Sequence, residues 1–221
     1  MKMPPLTNMP TQAQKRRNLY ATVTGLAQLL ANEKDCPHAL WKTTHHQFKK
    51  QPSTFDPSEH EEKLIQRALQ LQNEDFTVYV ENQNSFKYQG QTFDICVAGR
   101  PDIIAIKDDW AVVEDIKTGK PKDSHKMQML LYMSMLPFAT ETKHLFKGHI
   151  PHGRLVERDR ILDIPKWCVT EQFRQRLQQL IAMLCNSQPP QPKPSDWECR
   201  YCKVPSAYCS AKIGKGSDLS A

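Results

Sequence analysis

The chain has 221 residues, of which 39% are apolar and 24% are charged, and its formal net charge is +6. This length and composition are ordinary for a globular protein that buries one large core. No stretch approaches the length of a bilayer-spanning helix and the N-terminus has no apolar signal-peptide core, so we expect a soluble, cytoplasmic protein without a membrane partner.

The net charge is concentrated at the start of the chain. Residues 1–50 hold eight basic and two acidic residues, so the rest of the chain sums to zero. Basic side chains gain affinity for a polyanion by releasing its phosphate counterions. The segment is therefore either a surface that faces nucleic acid or a solvated tail, and charge alone does not separate the two. The basic residues are Lys2, Lys15, Arg16, Arg17, Lys34, Lys42, Lys49 and Lys50.

Three helices are predicted in the first third of the chain, after a polar, disordered stretch over residues 1–18. The first begins near Thr22 or Thr24 and runs to residue 32, and the second follows Cys36-Pro37 over residues 38–50. The third covers residues 59–71, where apolar side chains recur at helical spacing. Ser58, three residues before Glu61, predicts a capping box at its start.

After residue 75 the pattern changes to segments rich in β-branched and aromatic residues. These segments predict a central run of antiparallel strands over 76–82, 85–100, 101–106 and 110–117, with turns at Gln89-Gly90 and Asp108-Asp109. A helix over 124–136, weaker strands over 144–150 and 153–159, and a helix over about 170–184 follow. A Pro-rich linker then leads to a cluster of cysteines.

Residues 112–120 read VVEDIKTGK and place three charges at the end of a buried strand. Asp115 and Lys117 project from one face of that strand and Glu114 from the other. A hairpin around Asp108-Asp109 pairs residues whose numbers sum to about 217, which brings Asp102 beside Asp115. Two adjacent carboxylates suit Mg²⁺ or Mn²⁺, and a nearby lysine suits phosphodiester hydrolysis.

Two other interpretations apply to this stretch, a solvent-exposed strand end and a phosphate-binding loop. Charges at strand ends are usually exposed to solvent, and a single Asp-x-Lys is a weak pattern. A phosphate-binding loop is excluded because Gly119 has no partner glycine at the spacing that the Walker A motif requires.

The chain has seven cysteines, an odd number for a disulfide framework. Cys199, Cys202 and Cys209 form one short cluster, and Cys36 is the best fourth ligand. We interpret Cys96, Cys168 and Cys185 as small buried hydrophobic residues. Spacing alone does not separate a four-thiolate zinc site from a [4Fe–4S] cluster.

The segments GRPD (99–102), VVEDIKTGK (112–120) and QMLLY (128–132), in this order, resemble the active-site motifs of the PD-(D/E)xK nuclease superfamily, and more narrowly of the RecB-like exonucleases. The resemblance implies catalytic roles for Asp102, Asp115, Lys117, Gln128 and Tyr132. It also implies that His60 joins Asp102 and Asp115 as a metal ligand.

The cysteine arrangement is similar to the iron–sulfur staple of AddB-type nucleases and of CRISPR-associated RecB-like exonucleases. This implies a [4Fe–4S] cluster bound by Cys36, Cys199, Cys202 and Cys209, with structural Zn²⁺ as the alternative. The implied fold is α/β, with a restriction-endonuclease-like mixed sheet flanked by helices and an iron–sulfur subdomain formed by both termini. The expected segments are a basic tail (1–18), a helical segment that supplies one cluster ligand (19–50), the nuclease core (51–186), the linker with the cysteines (187–211) and a loose tail (212–221).

The function that the resemblance implies is a Mg²⁺- or Mn²⁺-dependent exonuclease on single-stranded DNA ends, with 5′→3′ polarity favoured. Its partners would be proteins of DNA repair and recombination or of CRISPR spacer acquisition. One alternative is a structure-directed DNA endonuclease. Another is a non-catalytic, zinc-bound nucleic-acid-binding module, which would have no need of the Asp102, Asp115 and Lys117 set.

Overall fold

The computed structural model describes residues 13–48 and 56–213. The strands are β1 (Gln14–Lys15), β2 (Leu19–Thr22), β3 (His46–Gln47), β4 (Thr77–Val80), β5 (Phe86–Gln89), β6 (Ile95–Gly99), β7 (Ile103–Lys107), β8 (Trp110–Ile116), β9 (His152–Val156) and β10 (Ile161–Ile164). The helices are α1 (Val23–Leu30), α2 (Pro37–His45), α3 (Ser58–Asn73), α4 (Asp123–Met135), α5 (Lys143–Phe146), α6 (Glu171–Cys185) and α7 (Asp196–Tyr201). Within these ranges, none of the helices combines the length and hydrophobicity that crossing a bilayer requires.

The strands form two main sheets, one with five strands in the order β10-β9-β8-β7-β4 and one with three in the order β2-β6-β5. β8 pairs with β9 in parallel, as β2 does with β6, and the other pairs in these sheets are antiparallel. The predicted α/β architecture of mixed sheet and flanking helices is confirmed. The predicted single antiparallel run is wrong, because β6 pairs with the distant β2 and so carries β5 into a second sheet.

The hairpin of β7 and β8 determines which residues meet at the end of the larger sheet. Ile103 lies opposite Glu114 and Lys107 opposite Trp110, which confirms the predicted register. Asp108 takes a left-handed φ of 53° in the two-residue turn, a conformation that a short polar side chain tolerates better than most. Asp102 and Asp115 therefore lie at the same open end of the hairpin.

Helices cover both faces of the five-stranded sheet. On one face, α4 packs on β8 and β9 and also against α1, and the buried side chains include Ile104 and Val113. On the other face, α3 packs on β4, β7 and β8 over Ile103 and Ile116. Successive strand residues thus enter two separate cores, as the pleat requires.

The first residues of α1 and α6 lie where the sequence predicts them, whereas the predicted N-cap of α3 differs from the structure. The Thr22 and Thr170 side chains accept hydrogen bonds from Gly25 N and Phe173 N, both at 3.2 Å, and cap α1 and α6. The predicted capping box at α3 is wrong. The N-cap is Pro57, and Ser58 is the first helical residue, whose N and Oγ both donate to Asp56 Oδ1.

The structure corrects two further expectations and does not describe the residues of some others. Residues 13–18 are not a disordered tail, because β1 pairs with β3. The strand predicted over 144–150 is wrong, since this segment contains α5, and the sheet continues instead through β9 and β10. Predictions for residues 1–12, 49–55 and 214–221, which include Lys2, Lys49 and Lys50, fall outside the described residues.

Candidate active site

Three charged side chains meet at the end of β8. Asp115, the second-last residue of the strand, is 2% exposed. The Lys117 ammonium forms an ion pair with its Oδ2 atom. Asp102, directly before the neighbouring strand β7, lies near enough to Asp115 that its charge raises the pKa of the Asp115 carboxyl. The expected juxtaposition of two carboxylates and a lysine is therefore present.

Asp102 is held in place through both its side chain and its backbone. Its Oδ2 atom accepts a hydrogen bond of 2.6 Å from Ile116 N, across the hairpin. Its carbonyl oxygen accepts one of 2.9 Å from Glu81 N and one of 3.2 Å from the Nδ2 atom of Asn84, a fully buried residue. The carboxylate thus has a fixed orientation, which a metal ligand or catalytic group needs.

Asp115 is an ionisable group in an unfavourable environment. Burial raises its pKa to about 6, with Lys117 opposing the shift and Asp102 adding to it. Among the described residues, Lys117 is the ion-pair partner of its Oδ2 atom, and no other residue donates a hydrogen bond to that atom. A buried, unsatisfied carboxylate oxygen beside a second carboxylate is a donor set that fits Mg²⁺ or Mn²⁺.

A chain of hydrogen bonds connects Lys117 to α4. Lys117 Nζ donates to Gln128 Oε1 at 3.3 Å, and Gln128 Nε2 donates to Tyr132 Oη at 2.9 Å. Tyr132 Oη donates in turn to the carbonyl oxygen of Arg100 at 3.1 Å. Gln128 and Tyr132 share one helical face, as their spacing predicts.

The Tyr132 side chain does not have the surroundings expected of a substrate ligand. It is 2% exposed and packs edge-on against Phe86, and burial raises the pKa of its hydroxyl. A Cβ atom at Gly99 would lie 2.8 Å from Tyr132 Cε1, so glycine is required for this close approach. The Tyr132 hydroxyl therefore holds the Gln128 amide against α4, and its predicted catalytic role stays a prediction.

His60, near the start of α3, lies beside the carboxylates. Its Nε2 atom is 3.1 Å from Asp102 Oδ2, and this contact raises the pKa of the imidazole against the effect of burial. A histidine must be neutral to bind a metal. In residues 13–48 and 56–213, no three Cys, His, Asp or Glu side chains converge closely enough to hold one metal ion, so His60, Asp102 and Asp115 are not preassembled as a ligand set.

A comparison with protein families identifies the chain. The family model of the PD-(D/E)XK nuclease superfamily matches residues 13–209. The chain belongs to this superfamily. Pro101-Asp102 and Asp115-Ile116-Lys117, which the fold brings to one end of the β7–β8 hairpin, fit the residue pattern in the superfamily's name.

Other comparisons add less to this assignment. No match is found among curated proteins. Eighteen chains of known structure resemble this nuclease. Among them is the crystal structure of SSO0001, which is 23% identical over 90% of this chain and 89% of that chain, with a TM-score of 0.43.

On the opposite face of β8, Glu114 is fully buried and bound by two arginines. Its carboxylate accepts two hydrogen bonds of 2.7 Å from Arg67 and one of 3.3 Å from Arg154. The sequence left Glu114 unassigned and missed Arg67. A signal was available, because Arg67 falls between Leu64 and Leu71 in the apolar stripe of α3 and an arginine there requires a buried anion.

The four predicted cluster cysteines line one cavity of about 320 Å³ between the N-terminal and C-terminal segments of the nuclease. None of the four forms a disulfide bond, and burial raises the pKa of Cys202. They do not converge on one ion. Zinc–sulfur bonds of about 2.3 Å would bring the sulfurs within about 4 Å of one another.

Helix α2 attaches the C-terminal segment to the N-terminal one. Its Trp41 Nε1 donates to Asn186 O at 2.8 Å, and ring nitrogens of His38 and His45 lie 2.9 Å from Pro190 O and 2.8 Å from Leu184 O. At the other end of the linker, Glu198 accepts a hydrogen bond of 2.7 Å from Asp35 N. These contacts between the two ends of the chain hold the Pro-rich linker beside Cys36.

Proposed function

We propose that this nuclease is a Mg²⁺- or Mn²⁺-dependent deoxyribonuclease whose catalytic residues are Asp102, Asp115 and Lys117. Membership of the superfamily supports hydrolysis of phosphodiester bonds in nucleic acid. The observation that carries the residue assignment is the buried Asp115 carboxylate, which lies against Asp102 and has Lys117 as its partner.

The side chains have distinct roles in this proposal. Asp102 and Asp115 would hold the divalent ion, and His60 in its neutral form would be a third ligand. When bound, the ion lowers the pKa of a water molecule and offsets charge on the phosphate. Lys117 orients the attacking water, Gln128 fixes the Lys117 ammonium, and Tyr132 fixes Gln128.

The finer assignment follows the resemblance to RecB-like exonucleases. We propose that the substrate is single-stranded DNA with a free end, that degradation runs 5′→3′, and that the pathway is DNA repair and recombination or CRISPR spacer acquisition. A cytoplasmic location follows from either pathway. A structure-directed endonuclease is the second enzymatic candidate, because the same residues would cut internally in a cleft open at both ends.

The decisive experiment is degradation of end-labelled single-stranded DNA with Mg²⁺ or Mn²⁺, with each end blocked in turn. The proposal expects degradation that one blocked end abolishes, and blocking the 5′ end should be the effective change. Cleavage of circular single-stranded DNA would indicate an endonuclease. DNA binding without cleavage under any of these metals would favour the non-catalytic module.

We also propose that Cys36, Cys199, Cys202 and Cys209 bind a [4Fe–4S] cluster, with Zn²⁺ as the alternative. The support is the cavity that all four cysteines line, between the two ends of the chain. Protein purified without oxygen should be brown and contain iron and acid-labile sulfide. Colourless protein with one zinc ion would overturn the cluster and leave the nuclease proposal unchanged.

A further inference from the structure

The turn between β9 and β10 lies at the same edge of the sheet as the candidate active site. β9 runs parallel to β8 and pairs with it up to Ile116 and Val156, so both strands end at this edge. The turn is closed by a hydrogen bond of 2.9 Å from Glu157 N to Arg160 O. Its two central residues, Arg158 and Asp159, therefore project at the rim of the site.

Arg158 contacts two residues that are adjacent in sequence to predicted active-site residues. Its Nη2 atom donates to the two carboxylate oxygens of Glu59 at 2.9 and 3.1 Å. The same atom lies 3.5 Å from the carbonyl oxygen of Thr118. Glu59 directly precedes His60, and Thr118 directly follows Lys117, so the guanidinium bridges the two sides of the entrance.

The Arg158–Glu59 pair is exposed to solvent. The two side chains are 62% and 48% exposed, and exposed ion pairs of this kind contribute little to stability. The other arginine of the turn is held differently. Arg160 Nε donates at 2.6 Å to Glu157, whose side chain is only 9% exposed. Arg158 can therefore exchange its carboxylate partner for another anion with a smaller loss of free energy than Arg160 can.

We propose that Arg158 binds a backbone phosphate of the DNA strand at the entrance to the active site, and that Glu59 occupies this arginine until the phosphate displaces it. This inference rests on the proposed function, for which it names a further substrate-binding residue. A guanidinium presents a planar fork of donors that fits phosphate oxygens as well as a carboxylate. Because Glu59 carries the same sign of charge as the phosphate, the two anions compete for Arg158.

The first test measures the salt dependence of binding. The parent protein carries Asp115→Asn so that DNA is not consumed, and fluorescein-labelled oligothymidine is titrated by anisotropy from about 50 to about 200 mM NaCl. Loss of one phosphate contact should flatten the slope of log K against log salt by about 0.7. Arg158→Ala should show this flattening and weaker binding.

Arg174→Ala is the matched control for this measurement. Arg174 is a half-exposed arginine on α6 that pairs with Glu171 at 3.6 Å, three residues before it in the chain. Its removal changes the net charge by the same amount as Arg158→Ala. If both variants give the same slope and affinity, the phosphate contact at Arg158 is wrong.

The second test is a double-mutant cycle on Glu59. Glu59→Gln should tighten DNA binding about two- to fivefold, the range expected when an exposed ion pair no longer competes. In the Arg158→Ala background the same change should give no gain, because the effect acts through the arginine. An equal gain in both backgrounds would show that Glu59 acts independently of Arg158, by repelling DNA or through Lys63 at 3.9 Å, and would overturn the exchange.

These outcomes are separable from the proposed function. Binding is measured in a catalytically impaired parent, whereas nuclease activity is measured with the unaltered protein. If the unaltered protein cuts no DNA but Arg158→Ala flattens the slope, the catalytic proposal fails and the phosphate contact stands. If the unaltered protein cuts DNA and Arg158→Ala leaves the salt slope unchanged, the catalytic proposal stands and the phosphate contact fails.

Discussion

The two faces of strand β8 present adjacent buried carboxylates with opposite surroundings. Glu114 faces α3 and is 0% exposed, while Asp115 faces α4 and is 2% exposed. Glu114 accepts hydrogen bonds from two arginines, Arg67 and Arg154. Asp115 has one lysine as partner and lies near a second carboxylate, Asp102. Burial raises the pKa of Asp115 to about 6, and the charge of Asp102 adds to this shift.

This difference supports a structural role for Glu114 and the proposed catalytic role for Asp115. Burial alone does not distinguish Glu114 from Asp115. Charge compensation does, because a carboxylate with two guanidinium partners has little capacity left for a metal. A carboxylate beside another of the same sign gains from binding a divalent cation. Mutation of Asp115 should therefore lower activity, whereas mutation of Glu114 should lower the stability of the protein.

The largest expected effect is the loss of activity in Asp115→Asn. The change keeps the size of the side chain and removes the charge that is proposed to hold the metal. A metal ion of this kind supplies several kcal/mol of transition-state stabilisation. Cleavage of single-stranded DNA should fall at least about 10³-fold, while DNA binding by anisotropy is retained.

Asp109→Asn is the control for this variant, because Asp109 is a 98% exposed aspartate in the β7–β8 turn. It should cleave DNA at the rate of the unaltered protein. Cleavage by Asp115→Asn within tenfold of that rate would remove Asp115 from the catalytic set.

The matching change on the other face is Glu114→Ala, which leaves Arg67 buried without its carboxylate. Removing one partner of a buried ion pair costs about 3–5 kcal/mol, measured here as the free energy of unfolding in urea. The double variant Arg67→Met with Glu114→Leu should recover most of this loss, since it removes the two most buried charges and leaves Arg154 paired with Asp163. A double variant as unstable as the single one would contradict the pairing.

The active-site hairpin could be predicted from sequence because its geometry is local. A two-residue turn at Asp108-Asp109 fixes the register, and the register fixes the position of Asp102 beside Asp115. Gln128 and Tyr132 were predictable for the same reason, since a spacing of four within one helix fixes a shared face. The role of Tyr132 was not predictable, because its Arg100 partner depends on how α4 packs.

The features that the sequence missed depend on contacts between distant segments. β6 pairs with β2, more than 70 residues earlier, so β6 leaves the predicted antiparallel run. The partners of Glu114 lie 47 and 40 residues away in the chain. Local periodicity carries no information on such pairings. The chemistry of the residue types does, as with Cys36 and the C-terminal cysteines, which the fold brings to one cavity.

Mg²⁺ should change how the stability of the protein depends on pH, and this change should depend on Asp115 and not on Glu114. Asp115 has a pKa of about 6 when folded, against an ordinary value of 3.8. Its effect on stability is favourable below about pH 4 and is lost as the pH rises through about 6, because the folded protein must then ionise a buried group. Mg²⁺ binds the ionised form and offsets that loss.

Mg²⁺ at about 100 times its Kd should raise the melting temperature by roughly 5–10 °C at pH 8. The rise should be much smaller at pH 5 and absent in Asp115→Asn, by scanning calorimetry. Glu114→Ala, although less stable, should retain the shift. Equal shifts at both pH values would contradict the link between Asp115 and the metal.

The smallest effect is expected for Tyr132→Phe, which tests how the α4 face supports Lys117. The change removes the hydroxyl that accepts from Gln128 and donates to the Arg100 carbonyl, and it leaves the ring that packs against Phe86. One such hydrogen bond contributes about 1 kcal/mol. Cleavage should therefore fall about 5- to 10-fold, through the rate constant and without weaker DNA binding. Tyr201→Phe, at a 64% exposed tyrosine, should leave the rate unchanged. A loss as large as that of Asp115→Asn would mean that the Tyr132 hydroxyl touches the reacting phosphate, which its burial argues against.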